Sequence, residues 1–110
     1  MAFKVISTRS FEKQVKRLQK KYASLKRDLL ALVERLEQNP TEGVALGNNF
    51  FKIRLAISSK ARGKSGGARV ITYVKLTQTS VFLTAIYDKS EKSNISNKEL
   101  EEIFKSISNP

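Results

Sequence analysis

Seven basic side chains, Lys52, Arg54, Lys60, Arg62, Lys64, Arg69 and Lys75, fall between positions 52 and 75, and no acidic residue interrupts them. Guanidinium groups match phosphate oxygens with a two-pronged fork, and lysine adds a compact charge. Such a set suits binding and polarising a phosphodiester. The plain use of a charge run is a solvated face that confers solubility or nonspecific adhesion. Arg54 argues for more than that, because it stands between the aliphatic residues Ile53 and Leu55. A charge there is costly unless its side of the strand stays open or paired.

The rest of the composition narrows the chemistry. The chain has no histidine and no cysteine. That removes the commonest zinc ligands, disulfides, thiol nucleophiles and the usual general base near neutral pH. Acid-base groups must come from Lys, Arg, Tyr, Asp or Glu. The segment Gly63-Lys64-Ser65-Gly66-Gly67 has a superficial likeness to a phosphate-binding P-loop. The first glycine of that motif is missing and a strand rather than a helix follows, so the likeness is rejected. Flexible backbone able to approach RNA, or a simple connector between strands, are the uses left open.

These residues need a scaffold, and 110 residues suffice for a single domain over 1–110. Lys and Arg number 21 against 10 acidic residues, a net charge of +11 that favours polyanionic partners. No apolar run reaches the roughly 20 residues that span a bilayer, and residues 1–10 lack a secretory h-region. A cytoplasmic protein without membrane association is expected.

Phe3 and Val5 begin a short strand, and Ser7 to Ser10 offer helix N-caps. Phe11, Val15, Leu18 and Tyr22 recur at helical spacing, with basic residues on the other faces; Leu25, Leu29, Leu32 and Leu36 repeat the pattern up to Asn39-Pro40. Residues 41–49 read as a loop. From Phe50 the period becomes two: Phe51, Ile53, Leu55 and Ile57 should pack on helices, leaving Lys52 and Arg54 opposite. Arg69–Lys75 and Val81–Tyr87 form an antiparallel pair joined by a turn at 77–80, which puts Arg69 and Tyr73 on one side of their strand. Ser96 and Glu99 have capping-box spacing before the stripe Leu100, Ile103, Phe104 and Ile107. The expected fold class is α+β, β-α-α-β-β-β-α, a mainly antiparallel sheet with helices packed on one face.

Three pieces, Phe51-Lys52-Ile53-Arg54, Gly63 to Ile71 with Tyr73, and Ile86-Tyr87-Asp88-Lys89-Ser90-Glu91, together resemble the RelE/ParE superfamily of toxin-antitoxin toxins, and most closely its HigB-type branch. The central piece is the most specific. The resemblance implies a RelE fold and a ribosome-dependent endoribonuclease that cuts messenger RNA in the ribosomal A site, with neither metal nor cofactor. It implies attack of the RNA's own 2′-hydroxyl on the adjacent phosphate, leaving a 2′,3′-cyclic phosphate and a 5′-hydroxyl. By the same resemblance Lys52, Arg54, Arg69 and Lys89 hold the catalytic positions, with Lys52 a candidate base among neighbouring cations. Lys60, Arg62, Lys64 and Lys92 are expected to grip the RNA backbone, and the basic first helix to face ribosomal RNA. Members often carry a late Tyr or His where this chain has Ile95 and Ser96; Tyr73 or Tyr87 can take that place on RNA, although a strand tyrosine also packs usefully by itself. Asp88 and Glu91 are assigned only local ion pairs.

The partners implied are a cognate antitoxin with a helix-turn-helix domain, the 70S ribosome with its messenger, and operator DNA through the antitoxin. Two alternatives share the fold: a ParE-like inhibitor of DNA gyrase, and a catalytically silent partner of a transcriptional repressor. Retention of Lys52, Arg54 and Arg69 speaks against the first, while loss of the late Tyr or His keeps the second open.

Overall fold

A computed structural model describes residues 2–59 and 67–108. Its elements in chain order are strand β1 (Lys4–Ser7), helices α1 (Arg9–Gln19) and α2 (Leu25–Gln38), strands β2 (Val44–Gly47), β3 (Phe50–Leu55), β4 (Ala68–Lys75) and β5 (Ser80–Asp88), and helix α3 (Asn97–Ser108). The strands form one sheet in the order β1-β5-β4-β3-β2, parallel between β1 and β5 and antiparallel elsewhere. The α+β class stands, with two corrections. The expected loop over 41–49 contains β2, a short edge strand whose pairing with β3 is interrupted between Ala45 and Gly47. The helices also do not share one face.

Helices α1 and α2 cover one face. Leu18, Leu25, Leu32 and Leu36 are at most 1% exposed and pack with Ile53, Leu55, Val70, Val74, Val81, Leu83 and Ile86. Thr8 starts α1, its Oγ1 accepting from the Phe11 N–H at 3.2 Å while donating to the Leu83 carbonyl at 3.0 Å. One side chain thereby caps the helix and fixes it to β5. Helix α3 takes the other face: Ile95, Leu100 and Ile103 pack on Phe50, Ile71, Ala85 and Tyr87. The reason is visible in the strands, which are apolar on both sides over part of their length, so the sheet must be covered twice.

A bulge decides which residues of β5 face which helix. Ile71 pairs with Ala85 and Thr72 with Leu83, leaving Thr84 without a partner in the ladder; its Oγ1 donates to the Ile71 carbonyl at 2.8 Å. An added residue shifts the alternation by one. Val81 and Leu83 therefore join the core under α1 and α2, while Ala85 and Tyr87 lie with α3.

Candidate RNA-cleaving face

Three rows of side chains cross the α3 side of the sheet. Phe50, Tyr73 and Phe82 stand in register in the first; Lys52, Ile71 and Ala85 in the second; Arg54, Arg69 and Tyr87 in the third. Strand alternation puts all nine on one face, as expected for Lys52 with Arg54 and for Arg69 with Tyr73. Tyr87 joins the arginines only because of the Thr84 bulge. Adjacent strands lie about 4.8 Å apart, so Arg54 and Arg69 are two like charges set side by side. A bound dianion would relieve that repulsion.

The two arginines differ in surroundings. Arg54 is exposed, whereas Arg69 is 7% exposed, and its Nη1 donates to the Ala68 carbonyl at 3.2 Å. Lys52 is half-buried, with its Nζ donating to Asn94 Oδ1 at 3.4 Å. Lys89 follows β5 directly, and its N–H donates to the Gly67 carbonyl at 3.1 Å, two rows beyond the arginines. Lys92 is ion-paired with Glu99 and its Nζ lies 5.5 Å from the centre of the Tyr87 ring. The Tyr87 hydroxyl is buried, with no hydrogen-bond partner among the described residues. Burial pushes its pKa up, the nearby Arg69 charge pulls it down and Glu99 adds to the rise, with a net increase that keeps it protonated.

Of the residues singled out in the sequence, Lys52, Arg54 and Arg69 share this face with Lys92 against Tyr87, and Lys89 joins them through its backbone contact to Gly67. Tyr73 is on the face but four residues along β4 from Arg69, about 13 Å away. It packs on Phe50 at 5.1 Å and on Phe104 at 5.8 Å, and with them lines a cleft of about 900 Å³ that neither arginine borders. Lys60, Arg62 and Lys64 lie outside the described residues. Asp88 and Glu91 do form ion pairs, but with Lys21 and with Arg17 and Lys21 respectively, at the far end of α1, and not with the neighbouring lysines expected from the sequence. Sequence reasoning missed Asn94 on Lys52 and Glu99 on Lys92. Only the Ser96–Glu99 capping box signalled Glu99, and nothing in that spacing points to Lys92.

With this geometry in hand, comparison with known proteins is decisive for kinship. The family described as "RelE toxin of RelE / RelB toxin-antitoxin system" matches residues 3–109.

The chain belongs to the RelE toxin family.

Solved structures agree in fold with this RelE-family chain. The free E. coli toxin RelE, an arginine-to-alanine double mutant, superposes with a TM-score of 0.63 at 16% identity, covering 97% of this chain and 99% of that one. A chain of the intact E. coli RelBE toxin-antitoxin complex gives 0.60 at 17% identity, over 77% of this chain and 94% of that one. A metal-bound toxin from Helicobacter pylori gives 0.52 at 21% identity, over 84% and 99%. No curated protein shows a significant sequence match to the chain. Among the described residues no helix is long and apolar enough to cross a membrane.

Proposed function

We propose that this RelE-family toxin is a ribosome-dependent messenger endonuclease of the cytoplasm, held in check by a cognate antitoxin that carries a helix-turn-helix domain and links it to operator DNA. The observation that carries the reading is the opposition of Arg54 and Arg69, two guanidinium groups in register on one sheet face, with Lys52 and Lys89 at its borders. The reaction forms a bond from the RNA 2′-oxygen to phosphorus and breaks the bond from phosphorus to the 5′-oxygen. Charge builds on the non-bridging oxygens as it does so, and Arg54 and Arg69 stabilise that charge where it develops. Lys52, as a neutral amine, takes the 2′-hydroxyl proton, and the Lys89 ammonium gives a proton to the departing 5′-oxygen, which leaves as a hydroxyl. Lys92, Lys60, Arg62 and Lys64 hold the RNA backbone, and Tyr73 offers an aromatic ring to a base farther along the face. The products are a 2′,3′-cyclic phosphate and a 5′-hydroxyl, made without a metal or cofactor.

The test is induced expression of wild type, Arg54→Ala and Arg69→Ala in a bacterium, with messenger 5′ ends mapped. Cuts linked to the reading frame in wild type, reduced about 10²–10³-fold in each variant, are the expected result. Growth arrest without cuts would discard the nuclease and make DNA gyrase the next target.

A further inference from the structure

Asp88 has no exposed surface, yet it belongs to none of the three rows. Its row, Leu55–Ala68–Asp88, alternates with the arginine row and so belongs to the helical side of the sheet. There Oδ2 accepts from the Tyr22 hydroxyl at 2.6 Å and lies 3.6 Å from Lys21 Nζ, while Oδ1 accepts from the Ser90 N–H at 2.9 Å and the Ser90 hydroxyl at 2.7 Å. The Asp88 carbonyl also accepts from the N–H groups of Glu91 and Lys92, and Glu91 is paired with Arg17 and Lys21. Residues 88–92 are thereby fastened to the C-terminal end of α1.

A turn by itself does not call for a buried carboxylate. Serine or asparagine can make the same contact to the amide two residues on, without the cost of removing an ion from water. What the buried charge adds is a second anchor. It ties the turn to the end of α1 as well as to the start of β4, where Lys89 meets Gly67 two rows beyond the arginine row. The acid meanwhile faces the helices, so it does not repel a phosphate on the α3 side.

We infer that Tyr22 and Asp88 are positioning residues for Lys89: their hydrogen bond sets the placement of the 88–92 turn against Arg54 and Arg69 and so governs turnover. The inference rests on the nuclease reading above. Catalytic groups tolerate little displacement, and a shift near 1 Å can cost about 10²-fold in rate.

Tyr22→Phe removes only the hydroxyl. In ribosomes programmed with a messenger it is expected to lower kcat about 10-fold or more with little change in KM, and Asp88→Asn to do the same if Tyr22→Phe fails to fold. If the clasp acts through Lys89, Tyr22→Phe causes no further loss in a Lys89→Ala background. Equal losses in both backgrounds, or wild-type kcat in Tyr22→Phe, would overturn the proposal. Amide exchange of Ser90, Glu91 and Lys92 reads the clasp without RNA: faster exchange in Tyr22→Phe with unchanged β4 amides is expected, and unchanged exchange in the turn would also overturn it. A wild-type chain that cuts no messenger, yet shows that exchange response, would discard the nuclease reading and with it the catalytic purpose of the clasp.

Discussion

Arg54 and Arg69 stand directly opposite each other on β3 and β4, one exposed and one buried. Opposed like charges destabilise a strand pair by a few tenths to about 1 kcal/mol. Arg54→Thr, which keeps a good strand former, should raise the urea midpoint of the free protein while cutting messenger cleavage about 10²–10³-fold. Added phosphate should stabilise wild type more than the variant, because an anion that binds the folded pair shifts the unfolding equilibrium. Equal responses to phosphate would show that the pair is no anion site.

Helix α3 begins with a reciprocal cap. The Ser96 N–H donates to Glu99 Oε1 at 2.8 Å, and the Glu99 N–H donates to Ser96 Oγ at 3.1 Å. Ser96→Ala should cost about 1 kcal/mol. Since α3 covers the face that carries Tyr87, the loss should appear first as faster amide exchange in the first turn of α3, with the α1–α2 side unchanged.

Asp28 fastens the end of β3 to the start of α2. Burial raises its pKa, but donors from Ser58, both hydroxyl and N–H, and from the Ser24 hydroxyl, together with the Arg27 charge, outweigh burial and lower it. The sign follows from linkage: a carboxylate whose pKa falls on folding contributes stability above its unfolded-state pKa and loses it as pH drops through the folded value. Acid unfolding curves should therefore show a steeper loss below about pH 4 for wild type than for Asp28→Asn, a window set by the ordinary aspartate range. Parallel curves would remove Asp28 from the acid response.

Gly67 leads into β4 at φ +52°, and a Cβ there would lie 2.6 Å from the Leu55 carbonyl oxygen. Both backbone angle and space oppose a side chain. Gly67→Ala should destabilise by more than about 1 kcal/mol, measured by thermal unfolding, and should displace the rung that joins Gly67 to Lys89.

Much of this arrangement was legible because period-two alternation is local: Lys52 and Arg54 could be set against Phe51, Ile53 and Leu55 without knowing any neighbour. The helices were equally plain from their leucine stripes. Strand β2 was not, since Val44, Ala45 and Gly47 are exposed and no buried face imposes alternation on them. The side taken by α3 was hidden for another reason. An apolar stripe requires a partner but does not say which face of the sheet supplies it. Tyr87 could be noticed as a tyrosine, yet its place beside Arg69 depends on a bulge at Thr84 that leaves no mark in the pattern. Partners such as Asn94 for Lys52 arise only after folding has closed 42 residues of separation.

Strand β1 pairs with β5, Lys4 against Ser80, so the first strand of the chain has its neighbour near the end. Contacts of such long sequence separation close late and slow the search for the native state. During synthesis the α1–α2 hairpin can form early, but its leucines have no sheet to cover until β4 and β5 have been made. The row of arginines and Tyr87 spans β3, β4 and β5 and is therefore completed only with that last strand. An unfinished chain has no assembled arginine row, and if that row is the cleavage site proposed above, the closing of the sheet is what arms it.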